Sequence, residues 1–368
     1  MASPTPPPKV FVIGGTGAQG RPVIRGLVRD GAYAVRVLTR DASSKYARQL
    51  KALSPSLVEL VEGTFADETA LRNGLRGCAY AFVNIDGFNC GEKAEVYWAI
   101  RTYELAVESG LRFFVYGNLD YGLKKGQWAS KYRCGHYDGK GRVGEWILQQ
   151  NRQLGRRMGA ALFTTGPYIE MTIAKDTPMC PTIENGVVTW RMPLSDGAVP
   201  FVALEDCEYY VRWIFDHQDQ ANGMDLEVAV DHIGVAELAA AFAKVTGRPA
   251  VYVPVSLDEY WTDGVFASRA DRVSGYNSDR ADAAHMLVRD NFTGFWNLWR
   301  DSGGNKGVVR RDYALLDRIH PGRIRSAEEW FAREEKRGRE QGLGGLWDRV
   351  NAMKPVLKDV EDGRRGRL

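Results

Sequence analysis

The sequence predicts an α/β fold: a doubly wound parallel sheet, then a smaller α/β part, then a helical C-terminal extension. Three observations carry this reading. Short β-branched runs alternate with helix-like stretches through the first half of the chain, as a parallel sheet with right-handed crossovers requires. A glycine-rich turn joins the first run to the first helix. After Gly166 the rhythm changes to shorter strands, and from residue 256 it becomes mainly helical.

Taken in order, Lys9–Ile13 is an apolar first strand, and the glycines after it lead into a helix over Gly20–Arg29. Ala34–Thr39, Leu57–Glu62, Ala79–Asn84, Arg112–Tyr116 and Ala160–Thr165 supply five more strands, with a helix over Glu92–Ser109 behind the fourth. A long loop, Gly117–Gly139, precedes a helix from Lys140 to about Met158, and a loop of that length between compact elements is usually functional or disordered. Beyond Gly166, Val187–Arg191, Val199–Ala203, Asp225–Val230 and Ala250–Pro254 read as strands, and Leu204–His217 and Gly234–Thr246 as helices. The organisation expected is a disordered proline-rich arm (1–8), a sheet domain (9–166), a smaller part interleaved with it (167–260) and a helical extension (261–368) ending in a frayed basic tail, Glu361–Leu368.

Composition narrows the function. Of 368 residues, 44% are hydrophobic and 26% charged, enough for a sizeable core. Forty-nine basic against 46 acidic residues leave a net charge of +3, too balanced for a nucleic-acid or anionic-membrane footprint. No apolar run approaches the roughly 20 residues that span a bilayer. The five cysteines are odd in number and widely spaced, with no CxxC pair and no metal-ligand spacing, so no metal is expected and a reduced, cytoplasmic setting is.

The strongest local signal is Gly14-Gly15-Thr16-Gly17-Ala18-Gln19-Gly20. Gly14 permits a tight exit from the strand, Gly17 lets backbone amides approach a pyrophosphate, and Gly20 lets the helix pack close to the sheet. The phosphate charge then faces the positive end of the helix. Thr16, Ala18 and Gln19 belong to the same cradle. At the end of the second strand the usual acidic ribose ligand is replaced by Thr39-Arg40, and a guanidinium there suits a 2′-phosphate. Lys45 offers a second positive charge. The cofactor expected is NADP(H) rather than NAD(H).

With these residues in hand the chain resembles the NmrA-like group of atypical short-chain dehydrogenases, and its fungal branch in particular. The resemblance rests on Gly14–Gly20, Thr39-Arg40, Gly63-Thr-Phe-Ala-Asp67, Tyr116-Gly-Asn-Leu-Asp120, His136-Tyr-Asp-Gly-Lys140, Gly166-Pro-Tyr-Ile-Glu-Met171, Asp196-Gly197, Pro200–Asp206 and Thr246-Gly247, spanning about residues 9–260. It implies a Rossmann-type fold. It also implies a function among reductases, NADP-sensing regulators without catalysis, and enzymes that build natural products.

Ligands bind beyond the carboxyl ends of parallel strands. Asn84-Ile-Asp-Gly-Phe88, Asn118–Tyr121 and the start of the helix at Lys140 should therefore face the nicotinamide, with Asn84, Asp86, Asn118 and Tyr168 contacting the cofactor. The Tyr-x-x-x-Lys pair of ordinary short-chain dehydrogenases is absent: His136 stands four residues before Lys140, and Tyr137 three. Lys140 matches the family's lysine near the nicotinamide and is read as a ribose ligand and electrostatic donor or proton relay. His136, which titrates near neutrality, and Tyr137 are the candidate proton donors. Helical geometry through 136–140 would put His136 and Lys140 on one face, although three glycines argue against it. Phe88, Asn89, Tyr121, Trp128, Tyr168 and Met171 are expected to wall the substrate pocket, with aromatics of Trp261–Trp299 as a lid.

The reading is an NADPH-dependent oxidoreductase that reduces C=O, C=N or activated C=C in a hydrophobic metabolite, polycyclic or indole-like, within natural-product biosynthesis. The partner expected is that small metabolite, and the protein a monomer or homodimer. Two alternatives stay open: an isomerase or cyclase using the cofactor transiently, and a non-catalytic NADP(H) sensor that docks on a partner protein.

Overall fold

Six of the strands follow the alternation in sequence: β1 (Lys9–Ile13), β2 (Ala34–Thr39), β3 (Val58–Glu62), β4 (Tyr80–Val83), β5 (Phe113–Leu119) and β6 (Gly159–Thr165). The smaller part adds β7 (Thr182–Glu184), β8 (Val187–Met192), β9 (Val199–Pro200), β10 (Asp225–Glu227), β11 (His232–Ile233) and β12 (Ala250–Pro254). In this computed structural model, which describes residues 6–154, 157–279 and 281–353, seven parallel strands form one sheet in the order β3-β2-β1-β4-β5-β6-β10. The strand order reverses between β1 and β4, and their carboxyl ends open there into a crevice. Residues 1–5 of the proline-rich arm and the basic tail lie outside the described residues; Pro8 already accepts a hydrogen bond from the Ala34 amide.

Helices cover both faces, which is why the central strands are almost wholly apolar. Val10, Phe11 and Val12 have no solvent exposure. On one face α1 (Gly20–Val28) packs with α7 (Asp206–Asp216) through Val23, Leu27, Tyr210 and Ile214. On the other lie α3 (Glu68–Leu75), α4 (Gly87–Glu108) and α6 (Gly135–Leu154), with Leu71, Ala106 and Ile147 inward. The short helices α2 (Lys45–Leu53) and α5 (Gly122–Lys125) occupy connections, as does α8 (Gln218–Ala221).

A third core joins the smaller part, with α9 (Val235–Thr246) and α10 (Leu257–Asp263), to the C-terminal helix α11 (Val288–Arg300). Helix α12 (Tyr313–Ile319) instead adds Leu316 and Ile319 to the core on the α1 and α7 face, and α13 (Ala327–Glu340) and α14 (Leu346–Arg349) return to the third core. Trp190, Phe242, Trp261, Trp296, Trp299 and Trp330 are buried together in it. The C-terminal tryptophans are thus packing residues of a shared core, and the aromatics this region turns toward the strand ends are phenylalanines.

The expected loop 117–139 is largely structured. Its first residues extend β5 to Leu119, α5 and a single 3₁₀ turn at Ser130–Tyr132 follow, and α6 begins at Gly135 instead of Lys140. The Asp138 carboxylate accepts the Cys134 amide at 2.9 Å and the Arg133 guanidinium at 2.8 Å, closing the first turn. The glycines of this helix are contact points: a Cβ at Gly141 would collide with Tyr121, and one at Gly139 would press on Glu92 at 3.2 Å. Tertiary packing thereby outweighs the low helix propensity of glycine. Helix α4 starts earlier than expected, its first turn set off from the remainder by Gly91 at φ 78°. Among the described residues no helix is long and apolar enough to cross a membrane, and no group of His, Cys, Asp or Glu is arranged to hold a metal ion.

Candidate dinucleotide and substrate cleft

The crevice beyond β1 and β4 is a single cleft of about 320 Å³. One end is built by the glycine turn. Gly14 sits at φ +80°, where a Cβ would strike the Asn84 carbonyl, and a Cβ at Gly20 would strike the Gly14 carbonyl. The turn is therefore as tight as its sequence demands, and Gly17 closes it by donating its amide to Gly14 O at 3.0 Å. Gly14, Thr16, Gly17, Ala18 and Gln19 line the cleft, at the start of α1, where amides have no intrahelical acceptor. Gly20 stands just behind them as the first residue of α1.

Thr39 and Arg40 line the same end. Lys45 does not: it is exposed on the outer side of α2, because the Ser44 cap sets the helix so that Tyr46 turns inward. The second positive charge comes instead from Arg21, whose guanidinium lies 4.3 Å over the Tyr46 ring, with both side chains in the cleft wall. Arg21 follows directly on Gly20, so its place in the first turn of α1 was the signal available in sequence.

A chain of hydrogen bonds crosses the floor. Gln19 Nε2 donates to Thr165 Oγ1 at 3.3 Å, Asn84 Nδ2 donates to Gln19 Oε1 at 2.6 Å, and Lys140 Nζ donates to Asn84 Oδ1 at 3.0 Å. Lys140 also donates to the carbonyls of Ile85 at 2.8 Å and Gly117 at 3.2 Å, and its ammonium lies 2.9 Å from the carboxylate of Glu95, a fully buried residue of α4. Asn118 donates to Thr164 Oγ1 at 2.9 Å, leaving its own carbonyl oxygen buried beside the cleft. Asp86 lines the cleft and caps α4 by accepting the Phe88 amide at 3.1 Å. Glu95 carried no sequence signal: one acidic residue among several in a helix looks like a solvated face.

The other end is aromatic. Phe88, His136, Tyr137, Tyr168, Met171, Phe292 and Phe295 line it, with Asn89 below. The last two phenylalanines come from α11 and were missed as individuals. Asn89 is held by Asn277, whose Nδ2 donates to its Oδ1 at 2.5 Å. Two residues expected here lie elsewhere. Trp128 is 60% exposed and packs edge-on against Tyr121, whose hydroxyl accepts from Arg142 at 3.1 Å. Neither reaches the cleft, because the chain that carries them folds as α5 and turns outward before α6.

His136 and Lys140 do share a face, one turn apart on α6, and Tyr137 stands beside them. The charge state of His136 differs from expectation. Its ring is enclosed by Phe88 at 4.6 Å, Tyr137 at 4.9 Å and Phe292 at 5.4 Å, with Nδ1 against the Asn291 side-chain amide. Burial lowers its pKa to about 4, the Asn291 contact opposing and the Lys140 charge assisting. The imidazole is neutral at neutral pH and supplies no imidazolium proton. Burial holds the Tyr137 phenol well above its ordinary range, with the Asp120 charge adding to the effect, so it too is neutral, with its proton in place. Cys134, 3.3 Å from the His136 ring, is likewise kept a thiol by burial.

A doubly wound sheet with its tight first turn, a second-strand arginine and one cleft across the strand ends defines a Rossmann-type protein with room and chemistry for a dinucleotide. The NmrA-like family model matches residues 7–267, and the chain belongs to that family. Curated relatives include the NmrA-like oxidoreductase himF of Aspergillus japonicus, 27% identical with 67% of this chain and 76% of that protein covered, and the oxidoreductase ptmS of Penicillium ochrochloron, 25% identical with 67% and 75% covered. Among solved structures, NmrA, a negative transcriptional regulator, in complex with NAD superposes with TM-score 0.69 at 17% identity, covering 94% of this chain and all of that one. The NADPH-dependent quinone oxidoreductase of Escherichia coli with NADPH gives 0.64 at 17% identity, covering 87% and 98%. These structural likenesses establish the shared fold. Helix α11, with Phe292 and Phe295, lies past the residues that the family model matches.

Proposed function

We propose that the protein is an NADP(H)-dependent oxidoreductase that reduces C=O, C=N or activated C=C in a flat, apolar metabolite. One observation carries this reading: a single cleft joins a phosphate-binding turn with Arg40 and Arg21 at one end to an aromatic chamber containing Lys140 and Tyr137 at the other. The names of the fungal relatives, which call them oxidoreductases, support it.

In this reading the amides of Gly14–Gln19 bind the pyrophosphate, and Arg40 with Arg21 takes the 2′-phosphate. Asn84, Asp86, Asn118 and Lys140 hold the nicotinamide end, with Tyr168 against it. The bound nicotinamide supplies hydride chemistry. The protein orients the acceptor against Phe88, Met171, Phe292 and Phe295 and keeps water out of the chamber. Tyr137 Oη, which keeps its proton at neutral pH, donates it to the atom that gains negative charge. His136 acts as a neutral wall and hydrogen-bonding group. The aromatic lining favours polycyclic or indole-like substrates of natural-product biosynthesis.

The non-catalytic sensor is the second reading, favoured by the Lys140 ammonium, whose hydrogen bonds are already spent on the protein's own oxygens. Incubating the protein with NADPH and a panel of polycyclic ketones, imines and quinones separates the two. The enzyme reading expects oxidation of NADPH with a reduced product, lost in Tyr137→Phe. NADPH bound but never consumed across the panel favours the sensor.

A further inference from the structure

The residue that holds Lys140 from behind is Glu95. Its carboxylate is completely buried under the cleft floor, on the second segment of α4 beyond the break at Gly91. Space for it exists because residue 87 is glycine: a Cβ there would collide with Glu95 Oε2. Apart from the Lys140 ammonium at 2.9 Å, the carboxylate oxygens have no hydrogen-bond partner among the described residues. A carboxylate this bare is costly to bury, and a helix surface offers many places to put one in water. Its location against the one lysine of the cleft floor is what calls for an account.

We infer that Glu95 is a positioning residue: it anchors the Lys140 ammonium against the back wall and supplies the counter-charge that sets the positive potential the nicotinamide end presents to an anionic ligand. The inference rests on the dinucleotide reading for its ligand but not for the buried pair itself. With Glu95 ionised, the pair is neutral and the cleft floor attracts an anion weakly. With Glu95 protonated, the ammonium is uncompensated and the attraction grows. Burial pushes the Glu95 carboxyl up to about 7, against the pull of Lys140, and Asp86 and Glu92 raise it further. The remaining titratable neighbours, Cys90 and Tyr116, are held neutral by burial. The switch therefore falls in the neutral range.

Glu95→Gln keeps the side-chain shape and removes the charge. In the wild type, once the 2′-phosphate's own titration, which strengthens binding over this range, is divided out, NADPH affinity measured by nicotinamide fluorescence should weaken by on the order of tenfold from about pH 6 to about pH 8. In Glu95→Gln that added dependence should vanish, leaving the titrations of the phosphate and of Asp86, whose carboxyl burial also raises, which are common to both proteins and cancel in their ratio. A merely structural glutamate would not alter the pH profile. The free protein offers a second measurement: with ¹³C-labelled glutamate, two carboxyl carbons should titrate near neutrality, those of Glu95 and of Glu170, which burial also pushes up to about 7. The Glu95 signal should disappear in Glu95→Gln and move further upward in Lys140→Met, while the Glu170 signal stays in place. Identical affinity profiles in wild type and Glu95→Gln, or a Glu95 carbon that titrates in the ordinary glutamate range, overturn the inference. If NADPH does not bind at all, the functional reading fails, and the carboxyl titration still decides the role of Glu95 toward Lys140.

Discussion

Arg311 grips Asp120 through both carboxylate oxygens, at 3.0 and 2.7 Å, with neither side chain exposed to solvent. Asp120 follows directly on β5, beside the cleft, whereas Arg311 belongs to the C-terminal extension. Lys125 adds a third charge at 2.6 Å. Burial by itself would raise the Asp120 carboxyl, but the Arg311 and Lys125 charges overcome it and hold the group well below the usual carboxylate range. Removing one partner strands the other as a buried charge, so Asp120→Ala should cost about 3–5 kcal/mol in urea unfolding. Asp120→Ala combined with Arg311→Met should recover much of that loss. A single variant within about 0.5 kcal/mol of wild type would mean that the extension is not fastened here. Because the folded pKa is depressed, the stabilisation is present above the unfolded carboxylate value, about 3.9, and is lost as pH falls toward the folded one.

The sheet was legible because its strands are buried on both faces, so that apolar runs such as Val10–Ile13 announce themselves without tertiary context. The glycine turn was legible for a related reason, since Gly14 and Gly20 answer steric demands internal to one short segment. The start of α6 was hidden because Gly135, Gly139 and Gly141 lower local helix propensity while serving contacts with α4 and Tyr121 that only the folded chain creates. Tyr121 and Trp128 were misplaced with that loop. Lys45 was misplaced because the phase of α2 turns Tyr46 toward the cleft in its stead, and Arg21 enters beside that ring from α1. Phe292 and Phe295 reach the cleft from a distant segment and Glu95 lies beneath its floor, and nothing in their own neighbourhoods marks them.

His136 should show no titration in the neutral range. With its pKa lowered from 6.5 to about 4, the unfolded chain takes up a proton before the folded one does as pH falls. Stability from this group is therefore complete above the unfolded value and declines as pH drops toward about 4. Histidine ring-proton NMR should find two such low midpoints, from His136 and from His232, whose pKa burial also lowers to about 4, and only the first should be absent in His136→Asn. A midpoint near 6.5 would restore the imidazolium as a proton donor.

Lys140→Met removes the partner of a carboxyl already raised by burial. Glu95 can answer by keeping its proton, so the variant should fold, with turnover reduced by on the order of a hundredfold if the lysine orients the reacting groups. A raised folded pKa gives stability that is complete below the unfolded value and lost as pH rises. The melting temperature of Lys140→Met should therefore fall further below wild type at about pH 8 than at about pH 6. An equal difference at both would show that Glu95 does not ionise against Lys140.

Phe292→Ala and Phe295→Ala test the aromatic chamber separately from the cofactor end. Each should weaken binding of a flat probe such as 9,10-phenanthrenequinone to the NADPH complex by about tenfold, from lost ring contact. NADPH affinity should stay within about twofold of wild type, since both rings stand at the far end of the cleft. Unchanged binding of the quinone would remove α11 from the substrate wall.

Calorimetric titration of the wild type and Arg40→Ala with NADPH and with NADH bears most directly on the cleft as a dinucleotide site with a 2′-phosphate pocket. The wild type should bind NADPH with measurable heat and prefer it to NADH, and Arg40→Ala should lose about tenfold or more in NADPH affinity with little change for NADH. No heat and no rise in melting temperature with NADPH in the folded wild type, or equal losses for both nucleotides in the variant, would contradict the account.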